Sequence, residues 1–225
     1  QGMEEGESFK IMESVRKGKG LSPEYEQDMI AADVPKWYIE SCKKIKYMFP
    51  KAHAAAYVMM AWRIAYCKIY YPLEYYTAYF SIRATGFSYE LMCFGKEKVE
   101  RAYMEIKNKS DATAKEEDTA RDLRIAQEMY ARGYEFEPID IYKAQAVRFQ
   151  VTENKKIMPA LTSIDGLGES VARQIVEAAA RGEFISKDDF MNRAKVNKTI
   201  CEQMDKLGLL GNLPQSDQIS IFDII

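Results

Sequence analysis

Residues 161–172 read Leu161-Thr162-Ser163-Ile164-Asp165-Gly166-Leu167-Gly168-Glu169-Ser170-Val171-Ala172. Two apolar residues stand three apart, two glycines then flank a leucine, and a helix-forming run reaches a small alanine. Glycine has no Cβ, so Gly166 and Gly168 let the backbone turn sharply and leave it open to a close-approaching group. Leu167 between them is placed to tuck inward and lock the helices on either side. The first turn of the following helix would aim free N–H groups, and the positive end of its dipole, at an anion such as a phosphate. A glycine-bearing helix connection without a ligand uses the same residue types. The full spacing is what favours the anion.

Outward from this hairpin the chain reads as helices with dense punctuation. Ser22-Pro23 is an N-cap followed by proline at the first helical position, opening a helix through about Ala32. Asp33-Val34-Pro35 opens another from Lys36 to about Met48, which Phe49-Pro50 ends. A third runs from Ala52 to Tyr70, with apolar residues around most of its axis. That is the pattern of a helix buried in protein. Thr113-x-x-Glu116 is a capping box before the stripe Leu123, Ala126, Met129 and Tyr130, and Gly133 stops that helix. Ala146 to Val151 alternates with period two and can pair with Lys156-Ile157-Met158 across Glu153-Asn154. Past the glycine hairpin come a helix to about Arg181, a helix capped by Ser186-x-x-Asp189, and a last one from Thr199 to Leu207. The fold class expected is mainly α with one short β-hairpin.

The glycine pattern resembles the helix-hairpin-helix motif. About thirty residues on, Lys195-Val196-Asn197-Lys198 occupies the place of a second hairpin, without glycines. Paired, the two suggest a tandem unit gripping both strands of a duplex. Gly166, Leu167, Gly168, Lys195, Asn197 and Lys198 are its expected DNA-binding residues, with contacts to phosphates that do not read sequence.

Composition sets limits on this reading. With 47% hydrophobic and 29% charged residues, the 225-residue chain is globular rather than disordered. Four cysteines without a C-x-x-C pair, and one histidine, argue against a zinc site or a disulfide framework. They fit a reduced, cytoplasmic compartment. The longest apolar run, Ala54 to Trp62, is far short of the roughly 20 residues a membrane span needs. The chain begins with Gln1 and shows no secretory signal, so it reads as a piece of something larger or as processed. The net charge of −2 hides one strongly basic block, residues 36–83, with eight basic and two acidic residues. Such a block is a candidate polyanion surface. A solvated, lysine-rich helix face has the same composition.

Two further constellations stand out. Lys51 and His53 sit at the start of the apolar helix with Tyr57 one turn on, where a helix N-terminus and a lysine could seat a triphosphate. A lone histidine is more often structural. The tail ends Gln218-Ile219-Ser220-Ile221-Phe222, apolar residues on a polar terminus, as in a docking peptide or a segment packing back on the body.

The run Phe9 to Lys19, the segment Val34 to Tyr57, the hairpin and the tail, in that order, resemble the C-terminal part of the bacterial replicative DNA polymerase III alpha subunit. This is a C-family polymerase, and the similarity is to its PolC type. The resemblance covers essentially the whole chain. It implies the later part of a helical fingers domain over 1–145, a duplex-binding tandem helix-hairpin-helix domain over 146–212, and an extended, flexible clamp-binding tail over 213–225. Lys51, His53 and Tyr57 would then face the incoming deoxynucleoside triphosphate. Gln218, Ile219, Ile221 and Phe222 match the clamp-binding consensus Gln-Leu-x-Leu-Phe, with isoleucine at both leucine positions. The partners implied are primer-template duplex, nucleotide, the beta sliding clamp and the remaining polymerase domains. In that family the catalytic aspartates and their two magnesium ions belong to a palm that this stretch does not include. No catalytic residue, no metal and no polymerase activity is therefore expected of it alone. A helix-hairpin-helix module of a repair nuclease or helicase is the alternative, though it leaves the first 150 residues unexplained. A non-enzymatic helical scaffold explains neither hairpin nor tail.

Overall fold

The computed structural model describes residues 2–216. They form a mainly helical fold with a single two-stranded sheet. The chain divides into two compact units, Gln1–Ala65 and Tyr66–Ile225.

In the first unit, α1 spans Glu5–Arg16, α2 Pro23–Ala31 and α3 Lys36–Lys44. Their inward residues, spaced three or four apart, meet as one small core of Ile11, Val15, Met29, Ile39 and Cys42. Ser22 caps α2 as its sequence indicates, accepting the Tyr25 N–H at 3.2 Å. Gly18 turns the chain after α1 with φ +75°, and a Cβ there would run into the Lys46 carbonyl. That close approach shortens α3. The sequence carried it to Met48, but it stops at Lys44, because Ile45 turns extended (φ −74°, ψ 119°) and packs against the core. The Met48 N–H then donates to the Arg16 carbonyl at 3.2 Å.

Helix α4, Lys51–Tyr70, corrects a second expectation. The sequence reads as a buried helix, yet none of its residues is buried. Trp62 is 73% exposed and Tyr57 65%. Apolar residues around an axis record that a helix is suited to being covered. They do not record that this stretch of chain supplies the cover.

In the second unit, α5 (Pro72–Ala78) runs into one π-helical stretch, Tyr79–Arg83, followed by α6 (Tyr89–Met92), α7 (Lys96–Lys107) and α8 (Ala114–Ala131). The capping box at the start of α8 is formed in full by Thr113 and Glu116. Leu123, Ala126 and Met129 pack with Val99 and Ala102 of α7 in a core closed by Phe80, Phe136 and Phe149. Asp122 is buried beside them and accepts from the Tyr79 hydroxyl at 2.9 Å and the Gly86 N–H at 2.8 Å. Burial, reinforced by the bond to Asp122, pushes the Tyr79 hydroxyl up to about 12. A Cβ on Gly86 would collide with the α8 backbone at Asp118 and Thr119, so only glycine lets that loop reach Asp122.

The hairpin is shorter than its alternation suggests: β1 is Gln150–Val151 and β2 is Ile157–Met158, antiparallel with Val151 opposite Ile157. Phe149 leaves the ladder for the core. A second core joins Tyr89, Ile139, Ile141 and Ala144 to the helices that follow, α9 (Glu169–Ala179), α10 (Lys187–Ala194) and α11 (Lys198–Lys206). It therefore runs across position 145, where the sequence suggested a domain boundary.

Residues 213–215, assigned from the sequence to a flexible tail, are docked instead. Leu213 packs against this core, and the Pro214 and Gln215 carbonyls accept the Lys187 and Asp188 N–H groups at 2.9 and 3.1 Å. The first turn of α10 has N–H groups to give, and these two carbonyls satisfy two of them. Among the described residues no helix is long and apolar enough to cross a membrane.

Candidate nucleic-acid interface

The glycine hairpin begins with a short 3₁₀ turn, Leu161–Ser163, that buries Leu161 and Ile164. Gly166 then adopts φ +80°, Leu167 points inward at 5% exposure, and Gly168 is the N-cap of α9 with φ −74° and ψ 158°. No side chain caps that N-terminus. The N–H groups of its first turn are thus left without the side-chain oxygen that helices usually provide.

The second hairpin repeats this backbone with different residues. Lys195 takes the left-handed conformation (φ 53°, ψ 39°), Val196 is buried at 5%, and Asn197 is the N-cap of α11 with φ −76° and ψ 163°. Each position lies 29 residues after its counterpart (195 − 166), and the helix starts, Glu169 and Lys198, keep the same offset. Leu167 and Val196 enter one common core. Two hairpins of one geometry therefore stand side by side. Glycine gives the first its left-handed turn freely, whereas Lys195 holds it against a steric cost of about 1–2 kcal/mol.

The electrostatics are more balanced than the sequence implies. Asp165 accepts from the Ser88 hydroxyl at 2.9 Å, and Glu169 is held by Arg173 at 2.6 Å. Lys198 reaches Glu202 at 3.8 Å, an exposed pair of little energetic weight. Lys195 is exposed and has no ion pair among the described residues. Asn197 uses its side-chain oxygen to cap α11, accepting the Ile200 N–H at 2.9 Å, so only its amide N–H₂ is left for a ligand. What the hairpins offer an anion is backbone N–H groups and one free lysine, rather than a dense cationic patch.

Arg193 is a residue that sequence reasoning passed over. Its guanidinium donates to the carbonyls of Ala178 (2.7 Å), Gly182 (2.9 Å) and Glu183 (2.9 Å), binds Asp189 at 3.0 Å and lies over the Phe184 ring. It fastens the C-terminus of α9 to α10 and so sets the spacing between the hairpins. A lone arginine in a polar helix carries no signal of this in sequence.

In the first unit, Lys51, His53 and Tyr57 share the exposed start of α4. His53 stacks on Phe49 (ring centroids 4.8 Å apart, 8° between planes) and meets Tyr57 edge-on at 4.5 Å. Gln218, Ile219, Ile221 and Phe222 lie outside the described residues. Among those described, no group of three His, Cys, Asp or Glu side chains could hold a metal ion.

Comparison with known proteins agrees with this geometry. A family model described as a helix-hairpin-helix motif matches residues 133–218. The chain is 52% identical over 223 residues to the PolC-type DNA polymerase III of Listeria monocytogenes and 49% identical over 223 residues to that of Bacillus subtilis, 99% of this chain in both cases. With that of Clostridium perfringens it shares 50% identity over 96% of its length. In each comparison the chain spans about 15% of the relative's length. From end to end, the sequence is homologous to one stretch of the PolC-type DNA polymerase III family.

Proposed function

We propose that this chain acts as the C-terminal, DNA-holding part of a replicative DNA polymerase, with the two hairpins gripping duplex DNA through its phosphates. The observation that carries this reading is the repeated hairpin backbone, with a helix N-terminus that no side chain caps at the first hairpin and, at the second, an exposed Lys195 with no ion pair among the described residues. Contacts of this kind position a duplex without reading its sequence. The same reading gives Lys51, His53 and Tyr57 to the incoming nucleotide, the first two toward its phosphates and Tyr57 toward its base. It gives Gln218 to Phe222 to a sliding clamp, and it places the work in the cytoplasm. In this reading, phosphoryl transfer with two magnesium ions is the work of a palm outside this stretch.

The test is duplex affinity as a function of salt, measured on duplexes of unrelated sequence. With few cations in the interface, log K should fall with log salt at a slope of about −2, nearly alike for every sequence. Lys195→Ala should reduce that slope by about 1. Affinity that depends strongly on sequence, or a slope unmoved by Lys195→Ala, would refute the phosphate grip.

A further inference from the structure

From Ser41 to Leu73 the sequence holds six lysine or arginine residues and no acidic one. Within this stretch the structure places a continuous file of exposed rings. Tyr47 meets Phe49 at 4.7 Å, Phe49 stacks on His53 at 4.8 Å, and His53 meets Tyr57 at 4.5 Å. Tyr47, Phe49 and Tyr57 are each more than half exposed. Lys44, Lys46 and Lys51, close to them in sequence, are exposed and make no ion pair among the described residues, whereas Lys43 is taken by Glu26 and Glu40.

Rings held out in water in this way fill no core, and the free lysines around them would be left unpaired under a purely apolar partner. A ligand that is both polyanionic and rich in flat apolar faces answers both features. Duplex DNA does not, because its base faces are already stacked on one another. An unpaired strand does: its phosphates meet the lysines and its bases stack on the rings, in the manner of sequence-tolerant single-strand binding.

We propose that Tyr47, Phe49, His53 and Tyr57 form a stacking platform for a short stretch of single-stranded nucleic acid, flanked by Lys44, Lys46 and Lys51. This goes beyond the nucleotide reading of Lys51, His53 and Tyr57 and does not rest on it, since Tyr47 and Phe49 have no part in that reading.

The experiment is fluorescence anisotropy of the whole chain with three labelled probes: a thymidine homopolymer of about 12 nucleotides, an abasic deoxyribose-phosphate strand of the same length, and a duplex. The thymidine strand should bind more tightly than the abasic one. Phe49→Ala and Tyr47→Ala should each weaken it by at least about fivefold. All these positions are exposed, so helical circular dichroism should stay unchanged. Gly168→Val should weaken the duplex arm and leave the thymidine strand alone, which keeps failure here distinct from failure of the hairpin reading. Equal binding of thymidine and abasic strands would reduce the surface to charge attraction and overturn the platform. So would alanine variants that bind like the parent, or no binding of the thymidine strand at about 100 µM in low salt.

Discussion

Replacing Gly168 by valine tests the phosphate grip with little disturbance of the fold. At Gly168 the backbone has φ −74°, which any residue adopts, and a Cβ there would meet nothing within 4 Å. The fold therefore makes no demand for glycine at this position. Losing a glycine N-cap costs a few tenths of a kcal/mol up to about 1, and the stiffer unfolded chain returns about 0.4–1. Net stability should stay within about 1 kcal/mol of the parent. Duplex binding should respond quite differently, because the added side chain stands over the open N–H groups at the start of α9. Losing a hydrogen bond to a charged phosphate is worth about 1.5–3 kcal/mol, or roughly ten- to a hundredfold in affinity. Thermal denaturation and anisotropy with a duplex of about 20 base pairs, long enough to span both hairpins, measure the two quantities on one sample. Gly166→Ala is the contrast: at φ +80° it should cost about 1–2 kcal/mol of stability, whatever it does to binding. A Gly168→Val protein that melts and binds like the parent would refute the cradle.

Three other outcomes follow from the same structure. Asp122→Ala leaves the buried Gly86 N–H and the half-buried Tyr79 hydroxyl without their acceptor, and should cost about 1–3 kcal/mol in urea denaturation; Asp122→Asn, which keeps one oxygen, should cost less. Lys109 and Thr113 hold the Glu116 carboxyl down to about 2, so its contribution to the start of α8 is complete above pH 4.5 and is lost as pH falls toward 2. Circular dichroism over that range should show the loss, and Thr113→Ala should cost about 1 kcal/mol at neutral pH and make the acid step smaller. For the tail, Ile221→Ala with Phe222→Ala should weaken clamp binding in a calorimetric titration by about 1.5–3 kcal/mol per side chain, with duplex binding unchanged; equal titrations would remove the tail from the clamp.

What the sequence disclosed was local. Ser22, Thr113 and Ser186 cap the helices they mark, because an N-cap needs only a side-chain oxygen and an N–H two or three residues on. The glycine hairpin was legible for the same reason: a left-handed turn, an inward leucine and a helix start fit within a few residues. The second hairpin was legible only as a weak echo, since lysine is no signal for φ 53° and only the structure shows that Lys195 adopts it. The early end of α3 depends on Gly18 and Lys46, far apart in sequence, and the role of Asp122 depends on a glycine 36 residues earlier. Distant pairings of this kind leave no periodicity to read. Helix α4 failed for another reason, because burial belongs to the assembled surface and pattern alone does not specify it.

That helix also differs from its neighbours in how it is held together. Leu123, Ala126 and Met129 anchor α8 in a core, so its amides should exchange with solvent only when that core opens. Helix α4 has no buried residue. Its C-terminal end is tied to α8 by Lys68, which pairs with Glu128 at 2.7 Å, but the rest leans on its own ladder of backbone bonds, and an isolated helix of about 20 residues is only marginally stable in water. Its amides should exchange by fraying from its N-terminal end, orders of magnitude faster than those of α8, and slow whenever a ligand covers it. Deuterium uptake along α4 is therefore a built-in reporter of whatever this chain is holding.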